Sequence, residues 1–182
     1  AKSDTAKSFL ASAAKGDTKF SGGKDVKQAM RAAALKAVGG LGDAEHRGVL
    51  EAALGSPALR LRYAAAQGLH RLRTADSVAA LALLLKREET DLVVRAAVDA
   101  LRATMKEHRK QIPVPMQQNV LDAVATSLGK GGWRADMAPV EFLEQFRSGD
   151  AVPALIAVLQ RVIDKADLAN DPEFNGKTKS LL

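Results

Sequence analysis

The chain has 182 residues, of which 47% are apolar and 26% are charged, and its formal net charge is +6. This balance is typical of a folded domain that buries about 70% of the surface its unfolded chain exposes, and it excludes a disordered tail. The chain has no cysteine, which excludes disulfides, thiolate metal sites and cysteine nucleophiles. The longest apolar runs are far too short to cross a membrane.

The N-terminal part of the chain is basic and is predicted to lie outside the main fold. Residues 1–27 carry six lysines and three aspartates. A short amphipathic helix is expected around residues 6–14, followed by a flexible hinge at residues 21–23, where a serine precedes two glycines. We therefore divide the chain into a partly flexible basic segment of residues 1–24 and a helical domain of residues 25–182.

An internal repeat follows this hinge. Residues 31–38 and residues 62–69 align at an offset of 31 residues, and both segments begin with arginine, continue with small residues and end with a large aliphatic residue. The same offset relates four further pairs: Leu41 to Leu72, Ala44 to Ala75, Leu50 to Leu81 and Leu54 to Leu85. A weaker third copy follows, in which Val94 stands at the arginine position. A register that holds across two helices indicates a repeat architecture.

Each period of the repeat is predicted to contain two helices. Apolar residues recur at helical spacing along both: Leu61, Ala65, Gly68, Leu69 and Leu72 in the first helix, and Val78, Leu81, Ala82 and Leu85 in the second. The small side chains of Ala65 and Gly68 would let neighbouring helices approach closely. No segment alternates with period two over the length of a strand, so no sheet is expected.

Residues that favour helix starts stand before these helices. Ser56 followed by Pro57 predicts an N-cap with proline in the first turn. Asp43, Thr74 and Thr90 are placed to cap the helices that follow them.

The repeated segments, together with the glycine-rich end of the first helix at residues 39–43, resemble HEAT repeats. They are most similar to the short variety first described in phycobilisome bilin lyases, and the good match covers residues 25–103. The resemblance implies an all-α fold, a right-handed α-solenoid of HEAT-like helical hairpins with three clear pairs and a fourth irregular pair. It also implies that Arg31 and Arg62 bond within the stack. We expect the chain to be a module or fragment of a longer protein.

The repeat pattern is interrupted after the first helix of the third repeat. Pro113 and Pro115 are expected to end that helix, and another helix is predicted over residues 116–128. In the irregular fourth pair, residues 141–146 would form part of the first helix and residues 152–159 would form the second helix.

Stacked helix pairs create an extended surface that suits binding, so we predict a non-catalytic scaffold. Its partner would be another protein or another domain of the same longer chain. In this register the surface comes from the second helices, and the candidate contacts are His46, Arg47, Glu51, Ser77, Lys86 and Arg87. Reversing the charges of Lys86 and Arg87 is predicted to weaken binding and leave the fold intact.

Nucleic-acid binding is the alternative function, from a different class. The sequence pI is about 9.7, and residues 58–73 hold four arginines and no carboxylate. Arg60, Arg71 and Arg102 are the candidate phosphate contacts, and binding through them would depend steeply on salt. Tyr63 is the only aromatic residue near them, which disfavours base stacking. A solvated basic surface explains the same pattern.

An enzyme is the third and remotest hypothesis, and it follows from the resemblance alone. Some HEAT-like DNA glycosylases hold a damaged base with a tryptophan and an aspartate, and Trp133 and Asp136 stand close together here. Trp133 is the only tryptophan, however, so we interpret it as a loop anchor. Residues 129–132 lack the spacing of a phosphate-binding loop, and a bilin-lyase activity rests on the family name only. We expect no enzyme activity.

No cofactor or metal is expected either. His46, His70 and His108 occupy different repeat positions and do not pair as ligands at helical spacing. Cytoplasmic localisation is favoured over export of a mature form that begins at Ala1.

Overall fold

The computed structural model describes residues 2–130, 133–146 and 156. These residues form helices joined by short turns, and no strand occurs among them. The helices are α1 (Lys2–Lys15), α2 (Lys24–Gly40), α3 (Arg47–Leu54), α4 (Leu59–Leu72), α5 (Val78–Arg87), α6 (Asp91–His108), α7 (Val114–Ser127) and α8 (Trp133–Gln145). Single 3-10 turns precede α3, precede α5 and follow α6: Ala44–His46, Ala75–Ser77 and Arg109–Gln111.

The helices are arranged in two layers. The even-numbered helices α2, α4, α6 and α8 pack side by side in one layer, and the odd-numbered helices α1, α3, α5 and α7 form the other. Among the odd-numbered helices, each even-numbered helix contacts mainly the one that precedes it in the chain. Because every pair also covers its neighbours, the apolar faces are buried only by stacking. The predicted all-α solenoid is confirmed.

Helix α1 packs against α2 and extends the odd-numbered layer by one helix. It is longer than the predicted helix of residues 6–14, and Ala13 and Ala14 near its end are almost completely buried. The glycine-rich stretch before α2 is exposed, and Gly22 has φ +108°. The division of the chain at residue 24 stays a prediction.

Helices α2 and α4 approach each other closely at two glycines. A Cβ atom built on Gly39 would lie 2.1 Å from the carbonyl oxygen of Gly68, and one built on Gly68 would lie 2.8 Å from the carbonyl oxygen of Leu35. Both glycines are buried: Gly68 lies inside α4, and Gly39 lies in the last turn of α2. Two backbones can meet at this distance only where neither carries a side chain.

The helix starts differ in detail from those predicted. Helix α4 begins at Leu59 with Ala58 as its N-cap residue, so the prediction of an N-cap at Ser56 is wrong. The Ser56 hydroxyl instead accepts the N–H of Ala58 at 3.2 Å, which forms a turn ahead of the helix. Thr90 does stand at the N-cap of α6, but its side chain makes no capping bond. Its N–H donates to the carboxylate of Glu88 at 3.1 Å.

The interruption after α6 is as predicted. Pro113 occupies the N-cap of α7, which begins at Val114, two residues before the predicted start. The predicted first helix of the irregular pair, residues 141–146, falls in the last part of α8, while residues 152–159 lie outside the described part of the chain except Ile156. Among the described helices none combines the length and the apolar character that a bilayer crossing requires.

The close approach of α2 and α4 predicts a large penalty for the smallest side chain at residue 39. The Gly39→Ala substitution should lower the free energy of unfolding by about 2 kcal/mol, because backbone atoms of α4 block the added methyl group. This loss should appear although alanine is intrinsically the better helix former. Urea denaturation followed by circular dichroism measures it.

Gly48→Ala in α3 is the matched control. A Cβ atom at Gly48 would meet no atom within 4 Å, so this substitution should leave stability unchanged or raise it by up to about 1 kcal/mol. Equal stability of the two variants would contradict the contact between α2 and α4.

Candidate binding surfaces

The repeat arginines lie between helices rather than on an open surface. Nε and Nη2 of Arg62 donate to the two carboxylate oxygens of Glu88 at 2.7 and 3.1 Å, and Nη1 donates to the carbonyl oxygens of Ser56 and Pro57, both at 3.1 Å. The Glu88 side chain is only 4% exposed. Arg31, one repeat earlier, donates from Nε to the carbonyl oxygen of Ala14 at 2.9 Å. Both arginines therefore tie neighbouring elements together.

The pair also shifts the protonation of both groups. Burial by itself raises the pKa of Glu88, but hydrogen bonds from Arg62 and Thr90 outweigh it, and the pKa is lowered overall. The hydrogen bond to Glu88 raises the pKa of Arg62 against the opposing effect of burial. The charged pair is consequently maintained at neutral pH.

The residues predicted to bind a partner from the second helices are mostly engaged within the stack. Arg47 pairs with Asp76 at 2.5 Å and with Glu51 at 3.6 Å. Lys86 donates to the amide oxygen of Asn119 at 2.7 Å, and Arg87 donates to the carbonyl oxygen of Leu54 at 3.3 Å.

These bonds join successive elements of the odd-numbered layer. Reversing both charges at Lys86 and Arg87 would break two of these bonds and so disturb the stack as well as any partner. The other candidates do not present a free polar group, since Ser77 is buried and His46 is 12% exposed on its side chain. A partner-binding role for this surface stays a prediction.

The three arginines predicted to contact phosphate differ in how far other residues of the chain already engage them. Arg102 bridges Asp99 at 2.6 Å and Glu141 at 2.7 Å, so its charge is already compensated. Arg71 is exposed but donates to the carbonyl oxygen of Lys36 at 3.3 Å. Arg60 is also exposed, and it is the one of the three whose side chain has no hydrogen bond or ion pair within the described residues.

Two adjoining hollows lie between α4 and α6 on the even-numbered layer. The first, of about 300 Å³, defines what we term the α4–α6 face, lined by Tyr63, Gln67, His70, Leu92, Arg95 and Asp99. The second, of about 740 Å³, shares His70 and Asp99 with it and extends along α6 towards Gln145 of α8.

The α4–α6 face combines an aromatic ring, an exposed aliphatic side chain and a free cation. The Tyr63 hydroxyl accepts a hydrogen bond from the Gln67 amide at 2.7 Å, and the Lys36 ammonium lies 5.3 Å from the ring centroid. Leu92 is 58% exposed. Arg95 is exposed and has no partner within the described part of the chain. Tyrosine and arginine are enriched in the residues that dominate protein interfaces.

His70 lies at the junction of the two hollows. Its pKa is lowered first by burial and then by the positive charges of Arg73, Arg102 and Arg71, which together exceed the opposing effect of Asp99. The imidazole is therefore neutral at pH 7, and its surroundings are electropositive.

One group of side chains has the composition of a metal site. Asp43, Glu45 and His46 each offer a ligand atom, and these atoms lie within 4.8 Å of one another. The ammonium of Lys7 lies 3.5 Å from Asp43, however, so a positive charge already compensates this carboxylate. Sequence reasoning missed the group because it searched for histidines at helical spacing, whereas a 3-10 turn gathers these residues. We assign no metal to it.

The carboxylate suggested for glycosylase-like chemistry has a structural bond. Asp136 is 8% exposed, and its Oδ1 accepts the N–H of Gly129 at 2.9 Å. It thereby holds the backbone of Gly129 near α8, while the side chain of Trp133 lies outside the described part.

Comparison with known proteins agrees with the repeat and the stack. Residues 24–102 match the family model for HEAT repeats, close to the predicted span of 25–103. This part of the chain therefore carries HEAT repeats. HEAT repeats generally serve as protein-interaction scaffolds and are typically non-catalytic. The matching model describes HEAT repeats as a class, so the likeness to the lyase variety stays a prediction. Neither the curated proteins nor the solved structures contain a significant match.

The buried ion pair of these HEAT repeats predicts a stability that depends on pH. Since the pKa of Glu88 is lower in the folded state than in the unfolded state, the unfolded chain takes up this proton first as the pH falls. The contribution of the pair is complete above the ordinary glutamate pKa of 4.5 and is lost as the pH falls through the lowered pKa of the folded state.

Glu88→Gln, which keeps the shape but cannot ionise, should lower the free energy of unfolding by about 2–3 kcal/mol at neutral pH. The difference from the parent should shrink progressively in acid. Urea titrations at a series of pH values measure it, and a difference that stays constant with pH would show that the charge of Glu88 does not stabilise the fold.

Proposed function

We propose that the chain is a non-catalytic scaffold that binds a protein partner through the α4–α6 face. The observation that carries this proposal is the exposure of Leu92 beside Arg95 and Tyr63. An aliphatic side chain that is 58% exposed next to an unpaired guanidinium does little for the stability of the stack. The same three side-chain types, brought together around a hollow, supply the apolar contact and the hydrogen bonds of a binding hot spot.

The distribution of structural bonds supports this choice over the second-helix surface. Arg47, Lys86 and Arg87 bond to neighbouring elements of the stack. Arg95, in contrast, forms no bond within the described residues that a partner would have to replace. A partner that binds Arg95 therefore replaces no bond of that side chain within the stack, which favours this face energetically.

Two exposed leucines provide a matched test of the binding face. Leu92 on α6 is 58% exposed, and Leu83 on α5, in the other layer, is 60% exposed. Leu92→Ser should reduce capture of the physiological partner by about tenfold or more, whereas Leu83→Ser should leave it unchanged. The parent and both variants serve as bait in quantitative affinity capture from cell extract, and thermal melts verify that all three are equally folded.

Three results can be distinguished. A protein retained by the parent and by Leu83→Ser but lost with Leu92→Ser supports the α4–α6 face. Loss with Leu83→Ser alone would transfer the site to the second-helix surface. Identical capture by all three baits would contradict a role for either leucine.

Nucleic-acid binding is the second candidate, and it is favoured by one observation. Arg60 and Arg95 are exposed cations that no described carboxylate compensates. Against it, Arg102 is neutralised by two carboxylates, and the lone tyrosine already contacts Lys36 and Gln67.

We therefore expect only weak binding to a short labelled DNA duplex at about 50 mM salt and none at about 200 mM salt. Fluorescence anisotropy measures both. Tight binding at low salt that is abolished by the double substitution Arg60→Glu and Arg95→Glu would instead establish the nucleic-acid function.

A further inference from the structure

Arg31 and Arg62 occupy the same position in successive repeats, but only Arg62 has a carboxylate partner. Glu88 stands 26 residues after Arg62 and accepts two of its N–H groups. The position equally far after Arg31 is Pro57, which has no acceptor on its side chain. Arg31 keeps the bond to the carbonyl oxygen of Ala14, and no ion pair joins it to any described carboxylate. Its guanidinium is thus left without the bidentate partner that its counterpart has.

The unpaired guanidinium of Arg31 lines an open groove of about 810 Å³. This groove, which we term the Arg31 groove, lies between the α1–α2 connection and the start of α4. Its cations are Lys19, Lys24, Lys27 and Arg31, and no carboxylate lines it. The three lysines form no hydrogen bond or ion pair within the described part of the chain.

Apolar residues also line the Arg31 groove. Phe20 and Pro57 are among its lining residues, and Phe20 is half-buried against the core. Phe20 is the one aromatic residue in this lining, so successive bases could not stack along the groove, and it offers a nucleic acid mainly charge. Cations and apolar groups that line the same groove complement a peptide that carries both acidic and apolar side chains.

We infer that the Arg31 groove binds an acidic segment of a partner protein. A carboxylate of that segment accepts two parallel N–H···O bonds from Nη1 and Nη2 of Arg31, because Nε already donates to the carbonyl oxygen of Ala14. A neighbouring apolar side chain of the segment packs against Phe20 and Pro57. The lysines attract the segment before contact and make association dependent on salt. The inference rests on the proposed scaffold function, but it concerns a different surface from the α4–α6 face.

The repeat itself supplies the decisive variant. Pro57→Glu places a carboxylate at the repeat position of Glu88, where it can pair with Arg31 and occupy the groove from within. Pro57→Gln is the matched control, because it removes the proline and adds a side chain of the same size without the charge. Lys24→Glu combined with Lys27→Glu is a second, independent variant, since both lysines are exposed and make no described bond.

The probe is a displayed library of random peptides of about 12 residues, a length that spans such a groove. The library is selected on the parent chain and on each variant. Peptides enriched on the parent and on Pro57→Gln should carry aspartate or glutamate beside a large apolar residue. Their affinity should fall by about tenfold or more with Pro57→Glu and with the double lysine variant, and it should fall as salt rises.

Three results would overturn the inference. They are enriched peptides without acidic residues, equal binding to Pro57→Glu and Pro57→Gln, and displacement of the enriched peptides by a short single-stranded oligonucleotide, which would assign the groove to phosphate. Failure here is separable from failure of the scaffold function, because the paired leucine variants test that function on the other surface.

Discussion

The contact of the α2 and α4 backbones at Gly39 and Gly68 is the constraint on which the stack depends. Where two helices meet without side chains, their axes are fixed by backbone contact rather than by the packing of flexible groups. The even-numbered helices are consequently the closely packed layer, and alanines such as Ala64 and Ala65 continue the same seam. The low aromatic content of 4% follows, because a narrow seam has no room for rings.

Positive charge has a structural use at the ends of the odd-numbered helices. The carbonyl oxygens at the ends of α1, α3 and α5 each accept a hydrogen bond from a cationic side chain: Ala14 from Arg31, Leu54 from Arg87, and Lys86 from Lys130. The C-terminal end of a helix has unsatisfied carbonyl groups and a partial negative charge. A cationic side chain therefore stabilises it both by a hydrogen bond and by its charge. The basic composition is thus partly explained by stacking, without any anionic partner.

The repeat made the stack predictable, because its offset and its small residues are local properties of the sequence. The partners of individual side chains were not predictable to the same degree. Arg102 finds Glu141 at a distance of 39 residues, across two turns whose lengths follow no repeat. The cluster of Asp43, Glu45 and His46 depends on a 3-10 turn that no periodicity indicates. The cap expected at Ser56 failed because a turn, stabilised by the same hydroxyl, delays the helix to Leu59.

The same logic locates specificity where the repeat is broken. Residues that recur at matched positions, such as Leu50 and Leu81, are completely buried and are accounted for by packing. Pro57 departs from the repeat at the position of Glu88 and leaves an arginine without its counter-ion. Leu92 departs from the amphipathic pattern by placing an aliphatic group in solvent. Packing accounts for most positions that the repeats share, so the differences at Pro57 and Leu92 are what distinguish the two proposed binding surfaces.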